Sequence, residues 1–260
     1  MELIQQLSQE LKLRPAQVEA AVRLLDEGNT IPFIARYRKE MTDSLDDAAL
    51  RDLSDRLEYL RNLQKRREEV IRSITEQEKL TPELETAIQA AATLAEVEDL
   101  YRPYKPKRRT RGSIAREKGL EPLAAAIRVQ NTLREALSMA AEYVNPEKGV
   151  ETAEDALSGA MDIIAEDISD DGEIRKALRL LIHRAAVVTA TGDSTENTTY
   201  KMYYDFKEPV GRIAPHRVLA INRGEKEGFL KTAIVLEEEK ALEAIRRKTV
   251  IANNACGRAV

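Results

Sequence analysis

The stretch Asp46-Asp-Ala-Ala-Leu-Arg-Asp-Leu-Ser-Asp-Arg-Leu-Glu-Tyr-Leu60, continuing through Arg-Asn-Leu-Gln-Lys-Arg-Arg-Glu-Glu-Val70 to Ile-Arg-Ser-Ile-Thr-Glu-Gln-Glu78, holds no glycine or proline. Leu50, Leu53, Leu57 and Leu60, then Ile71 and Ile74, recur at the three-four spacing of one helix face. The stripe lapses at Gln64 and Arg67, so the turns around Lys65-Arg66-Arg67-Glu68-Glu69 are expected to be solvated on every side. A helix over Asp46–Glu78 would be about 50 Å long at ~1.5 Å per residue. That length predicts an elongated all-α scaffold.

Composition agrees. Only 11 glycines and 9 prolines occur in 260 residues, fewer than ordinary turn-rich domains carry. Tryptophan is absent, so aliphatic side chains must build the core. One cysteine, Cys256, precludes an internal disulfide and makes a thiolate metal site unexpected. No apolar run approaches a membrane span and no signal-peptide core opens the chain, which predicts a cytoplasmic protein without membrane contact.

Working toward the N-terminus, residues 2–13 read as a short amphipathic helix. Pro15 opens a second helix that stops at Gly28-Asn29, with Val18, Ala21, Val22 and Leu25 as its stripe. Thr30 or Ile31 opens a third through Arg36-Tyr37-Arg38-Lys39. The three resemble a helix-turn-helix in outline.

Working toward the C-terminus, Thr81-Pro82 and the Thr93/Glu96 pair each start a helix. A basic stretch follows, Leu100-Tyr-Arg-Pro-Tyr-Lys-Pro-Lys-Arg-Arg-Thr-Arg-Gly112. From Arg102 to Lys118 there are eight cations against the single anion Glu117, in a chain of net charge −4. Pro103 and Pro106 predict an extended conformation. Lys and Arg neutralise phosphates and aromatic faces stack on bases, so Tyr101, Arg102, Tyr104, Lys105, Lys107, Arg108, Arg109 and Arg111 are candidate nucleic-acid contacts. Arg36, Arg38 and Lys39 form a second candidate group, reaching a groove from the end of a recognition helix or pairing locally with Glu40 and Asp43. Against nucleic acid stands an internal partner. Residues Glu151–Glu173 carry nine acids and no Lys or Arg, and the basic loop could dock there instead.

Ser113 is expected to cap a short helix, Thr132/Glu135 to open another, and Thr152/Asp155 to cap the acidic helix. Glu173–Val188 reads as a helix, followed by a polar loop and the aromatic group Tyr200, Tyr203, Tyr204 and Phe206. These rings suit either a protein interface or a satellite core. A helix starts at Pro215, a small β element lies near 228–236, and helix returns over Glu238–Lys248. The sequence reads as a piece of a longer protein.

Several of these segments together resemble the Tex family of bacterial transcription accessory proteins. The matching runs are Glu27-Gly-Asn-Thr-Ile-Pro-Phe-Ile-Ala-Arg-Tyr-Arg-Lys-Glu-Met-Thr42, Glu98-Asp-Leu-Tyr-Arg-Pro-Tyr-Lys-Pro-Lys-Arg-Arg-Thr-Arg111, Ile114-Ala-Arg-Glu-Lys-Gly-Leu-Glu-Pro-Leu123, Pro215-His-Arg-Val-Leu-Ala220 and Asn222-Arg-Gly-Glu-Lys-Glu-Gly228. The resemblance implies a helical Tex-type domain over 1–190, containing the basic loop 101–112. It also implies a connecting helical and β segment over 191–260 that leads towards a RuvC-like domain. Helix-hairpin-helix elements and an OB-fold nucleic-acid binder would lie further on. RNA or DNA would then be held mainly by those later domains, with proteins of the transcription machinery as further partners. The family is related to a eukaryotic elongation factor that chaperones histones, and the resemblance implies no catalysis.

The residues point the same way. His183 and His216 have no partner constellation, and neither phosphate-loop nor metal-ligand spacings occur. No enzyme activity and no cofactor are expected. Two functions remain open: a scaffold that contributes auxiliary RNA or DNA backbone contacts through the basic loop, and a protein-interaction scaffold whose loop docks on its own acidic helix.

Overall fold

Short polar side chains start seven of the described α-helices. Asp46, Thr81, Thr93, Thr110, Thr152, Asp171 and Asn254 each accept a hydrogen bond from the amide three residues on. Each supplies an acceptor to a donor that the first helical turn leaves unpaired. The computed structural model describes residues 2–105, 109–132, 134–193 and 198–260, and the chain divides into two units, Met1–Tyr104 and Lys105–Val260. Both are dominated by α-helix.

The first unit consists of α1 (Glu2–Leu11), α2 (Pro15–Asp26), α3 (Ile31–Tyr37), α4 (Lys39–Thr42), α5 (Asp47–Glu76), α6 (Pro82–Ala90) and α7 (Leu94–Tyr101). Helix α5 is its spine, burying Leu50, Leu53, Leu57, Leu60, Leu63, Val70 and Ile74. Leu7, Val18, Leu24, Ile34, Ile88 and Val97 from the other helices close the same core. Two ion pairs bind α5 to the N-terminal helices: Arg56 Nε donates to Glu10 at 2.5 Å, and Arg61 donates through both terminal nitrogens to Asp26 at 2.7 and 2.8 Å.

The middle of α5 differs from the sequence expectation. Leu63 and Val70 keep the buried stripe continuous, and only Lys65 and Glu68 within 65–69 are fully exposed. Arg66 donates to Glu98 at 2.6 Å and lies 5.5 Å from the Tyr101 ring centre. Arg67 donates to the Ala91 carbonyl at 2.7 Å. Their aliphatic stems cover the core while their heads reach α7 and the α6–α7 link.

The second unit holds α8 (Arg111–Glu117), α9 (Glu121–Val129), α10 (Ala136–Ala140), α11 (Ala153–Asp170), α12 (Gly172–Ala185), α13 (Pro215–Lys226), α14 (Glu238–Thr249) and α15 (Ala255–Ala259). Its helical core gathers Leu120, Leu123, Ile127, Ala140, Ala160, Ile163, Ile164 and Cys256. The expected Thr132/Glu135 capping box is absent: the helix begins at Ala136 with Glu135 as its N-cap, and the Thr132 hydroxyl accepts from Arg134.

Three strands complete this unit: β1 (Val187–Thr191), β2 (Asp205–Pro209) and β3 (Lys231–Val235), in order β2-β1-β3 and antiparallel throughout. The third is the β element expected near 228–236. The other two were hidden, because α12 stops at Ala185 and the β-branched run Val187-Val-Thr189 passes directly into the sheet. Tyr200 and Tyr203 are buried against Ala190, Ile221 and Leu230, so these rings form a satellite core. The composition change near residue 190 is this passage from helix to sheet, within one unit.

Gln130 ties the second unit together. It caps α9 in the left-handed conformation (φ 54°) and is almost fully buried. Its amide nitrogen donates to the Thr249 carbonyl at 2.7 Å, and its side-chain oxygen accepts from Ile251 and Ala252 at 2.9 and 3.1 Å. Asn254 donates back to the Gln130 carbonyl at 2.8 Å. Removing that side chain strands two partly buried amides and a carbonyl, so Gln130→Ala is expected to lower the unfolding free energy of this unit by about 1–3 kcal/mol in urea titrations. A second expectation concerns acid. The hydrogen bonds from Arg56 and Arg61 hold the Glu10 and Asp26 carboxyls below their usual pKa values, outweighing a slight desolvation. Their stabilisation is therefore complete above the unfolded carboxylate range of about 4, and is lost as pH falls through the depressed folded values. Arg56→Ala with Arg61→Ala should flatten this acid limb, read as unfolding midpoint against pH.

Candidate nucleic-acid interface

The basic stretch crosses from one unit to the other at Tyr104–Lys105, and its two parts have different surroundings. In the first unit, Tyr101 ends α7 inside the core. It is buried, its hydroxyl shares a 3.0 Å hydrogen bond with Ser73, and Arg66 lies over its ring. Arg102, Pro103 and Tyr104 form a 3-10 turn and not the extended strand that the prolines suggested. The fixed φ of proline serves either conformation. Arg102 and Tyr104 are half-buried, and Tyr104 packs on the first core. Of the candidate contacts, Tyr101, Arg102 and Tyr104 are thus not fully presented to solvent.

In the second unit, Lys105 and Arg109 are exposed, and Arg111 is the first residue of α8. Lys107 and Arg108 lie outside the described residues. The cap of α8 is Thr110, not Ser113: the Thr110 hydroxyl accepts from the Ser113 amide while Ser113 Oγ accepts from the Thr110 amide. This box places the α8 N-terminus against the acidic helix α11.

The two helices approach closely because small residues line the seam. A Cβ on Gly112 would meet the Glu166 carboxylate and the Asp162 carbonyl, and a Cβ on Gly159 would meet Leu120. Glu166, whose side chain is only 13% exposed, accepts from Arg116 at 2.5 Å and from the Thr110 hydroxyl at 3.1 Å. Arg116 also reaches Asp167 at 2.6 Å, and Arg128 reaches the other Asp167 oxygen at 3.1 Å. Burial opposes the charge on Arg116, but its bond to Glu166 and the fields of Asp167, Glu166 and Glu121 more than offset it, so its pKa is raised.

Internal docking thus engages the cations just beyond the basic loop. Arg116 is committed to α11, and Lys118 donates to the Gly149 carbonyl at 2.7 Å. Arg111 and Arg109 are not committed in the same way. Arg111 meets Asp162 at 3.4 Å with its own side chain 86% exposed, and Arg109 meets Glu117 at 3.1 Å with its side chain 72% exposed.

The second candidate group lies in the first unit. Arg36, Arg38 and Lys39 are all exposed, but α3 ends at Tyr37 and the chain breaks at Arg38 (φ −126°) before α4. Arg38 and Lys39 therefore do not extend a recognition helix. The expected pairing with Asp43 is also absent, since Asp43 pairs with Arg14. Two rings that the charge-based reading passed over, Phe33 and Tyr37, stand beside these cations; their i, i+4 spacing was the available signal.

Elsewhere, His183 and His216 are exposed on α12 and α13. Among the described residues no group of three or more His, Cys, Asp or Glu is placed to hold a metal ion, and no helix is long and apolar enough to cross a membrane. An apolar groove of about 710 Å3 runs between α11, α12 and α14, lined by Leu157, Met161, Ile168, Ile174, Leu178 and Ile245.

Comparison with known proteins adds the family. The Tex-like protein N-terminal domain model matches residues 1–75, and the Tex central region-like model matches residues 131–257. The protein YdcI of Bacillus subtilis is 46% identical over 257 residues, covering 97% of this chain and 36% of that protein. The transcriptional accessory protein Tex of Neisseria gonorrhoeae is 43% identical over 237 residues, 90% of this chain and 31% of its own length. The human S1 RNA-binding domain-containing protein 1 is 31% identical over 235 residues, 86% of this chain and 23% of that protein. The chain spans about a third of the length of the bacterial relatives it matches.

The α8–α11 seam makes a stability test independent of any ligand. Glu166→Ala strands the half-buried Arg116 and removes the Thr110 bond, and is expected to cost about 2–4 kcal/mol in chemical unfolding. Arg111→Ala, which removes only a solvated pair, should cost under about 1 kcal/mol.

Proposed function

The chain belongs to the Tex family, and from that premise we propose that it is the helical scaffold of a nucleic-acid-binding transcription accessory factor, with an auxiliary phosphate contact at Lys105, Arg109 and Arg111. The name of the Neisseria relative supports the transcription role, and the name of the human relative supports nucleic acid as the ligand class. The single observation that carries the local contact is the exposure of Arg109 and Arg111 in spite of their partners. A solvated ion pair is worth about 0–1 kcal/mol, so a phosphate can replace Glu117 or Asp162 at little cost. Arg116 differs, because stripping Glu166 of its partner leaves a carboxylate in a nearly dry seam.

The role is non-catalytic and cytoplasmic in this reading. Exposed histidines without converging partners suit no general base, and the cations are arranged along a surface and not around a reacting atom. RNA or DNA is engaged here through backbone charge, which carries no sequence information. A protein-docking scaffold is the second reading, favoured by the apolar groove between α11, α12 and α14.

The test is fluorescence anisotropy of the 260-residue chain on a labelled single strand between about 50 and 200 mM salt. Phosphate-driven binding falls steeply over that range. The triple variant Lys105→Ala, Arg109→Ala, Arg111→Ala should reduce the slope of log K against log salt by about 2, at roughly 0.7 per phosphate lost. An unchanged slope removes the loop as a contact, and absence of binding at both salts favours the protein-docking reading.

A further inference from the structure

Phe33 and Tyr37 share a face of α3, with ring centroids 5.3 Å apart and planes inclined at 45°. The Arg38 guanidinium lies 5.2 Å from the Phe33 centroid. One face of this pair is therefore backed by a ring and a cation, while the Tyr37 side remains open: Tyr37 is 67% exposed and Met41 beside it 41%. Arg36 and Lys39 lie on either side of the Tyr37-Arg38 pair in sequence, exposed, and form no ion pair among the described residues.

The corner is held rigidly. Thr42 is fully buried and its hydroxyl donates to the Arg38 carbonyl at 3.2 Å. Gln17 donates to the Asp43 carbonyl at 3.2 Å, and Arg14 pairs with Asp43. Ile34, next to Phe33 on α3, is fully buried and anchors the helix in the first core. An exposed aromatic side chain packed on a second ring, with Arg38 over that ring and the exposed Arg36 and Lys39 close in sequence, has the properties of a base-stacking platform: a flat π-face for a base and positive charge nearby for phosphates.

We propose that Tyr37, backed by Phe33, stacks on one unpaired base of a single-stranded nucleic acid, with Arg36 and Lys39 on the flanking phosphates. The proposal rests on the nucleic-acid reading above and goes beyond it, since it specifies an unpaired strand and a contact made by rings. Bases inside a duplex are already stacked on their neighbours and offer no free face. The break at Arg38 also leaves no continuous helix to enter a groove. Charge decides between occupants: Arg36, Arg38 and Lys39 against the single anion Glu40, all exposed in one run, favour a polyanion over an apolar protein surface.

The experiment uses the 260-residue chain with Tyr37→Ala and Tyr37→Phe, measuring anisotropy on labelled uridine and thymidine dodecamers and on a duplex of the same length. Tyr37→Ala is expected to weaken single-strand binding roughly tenfold, within the range found for base–aromatic stacking, with Tyr37→Phe restoring it. Duplex binding and the salt slope should not move. A stronger effect on uridine than on thymidine identifies RNA as the preferred strand, and the reverse identifies DNA. Equal losses on single strand and duplex, or no loss on either, overturn the proposal. So does a wild-type self-association, seen by light scattering, that Tyr37→Ala dissolves. Loss of the salt slope in the loop variant with Tyr37→Ala inert leaves the phosphate contact standing and removes the platform. The opposite pattern keeps the platform and removes the loop.

Discussion

The carboxylate of Glu166 governs how the basic stretch is divided. It sits in a seam too narrow for a Cβ at Gly112, and it is stable there because Arg116 and the Thr110 hydroxyl both donate hydrogen bonds to it. Without them a nearly buried charge would face a large desolvation penalty. The same set of bonds fixes the start of α8, and the start of α8 decides which cations turn inward. Arg116, a turn and a half into the helix, points at the acids. Arg111, at the helix entrance, meets α11 only at its solvated edge.

One run of like charges therefore serves two purposes that composition cannot separate. The distinction lies in the dielectric around each pair. A pair in the seam is strong because water is excluded, and for that reason it is unavailable to a ligand. A pair at the rim is weak and exchangeable. Internal docking and ligand contact are not rivals for the stretch as a whole. They apply to different residues a few positions apart.

Much of the fold was legible in the sequence because it rests on local chemistry. Thr81, Thr93 and Thr152 announce their helices through hydrogen bonds three residues away, and the leucine stripe of α5 is a periodic signal. What escaped depends on partners distant in the chain. Arg66 and Arg67 look solvated by sequence and become half-buried only because α7 and the Ala91 carbonyl lie beside them. The strand β1 reads as a helix end and a polar loop, since its threonines gain strand character from pairing with residues near 207 and 233. In the candidate site, charge was legible and accessibility was not. Tyr101 and Tyr37 look alike as aromatics beside arginines, yet one is in the core and the other in water. The relevant difference is the face of the helix that each occupies.

The Gln130 latch also imposes an order in time. The first unit is completed within its first 104 residues, whereas α9 ends on a side chain whose partners are 119 to 122 residues downstream. At a ribosomal pace of about 5–20 residues per second, those partners emerge roughly 6–24 s after Gln130 itself. During that interval the Gln130 side chain lacks its bonds to Thr249, Ile251 and Ala252, and the second core lacks Cys256. The first core draws only on residues from Leu3 to Tyr104, whereas the second joins Ala115 to Val260, so its assembly has to wait for the later part of the chain.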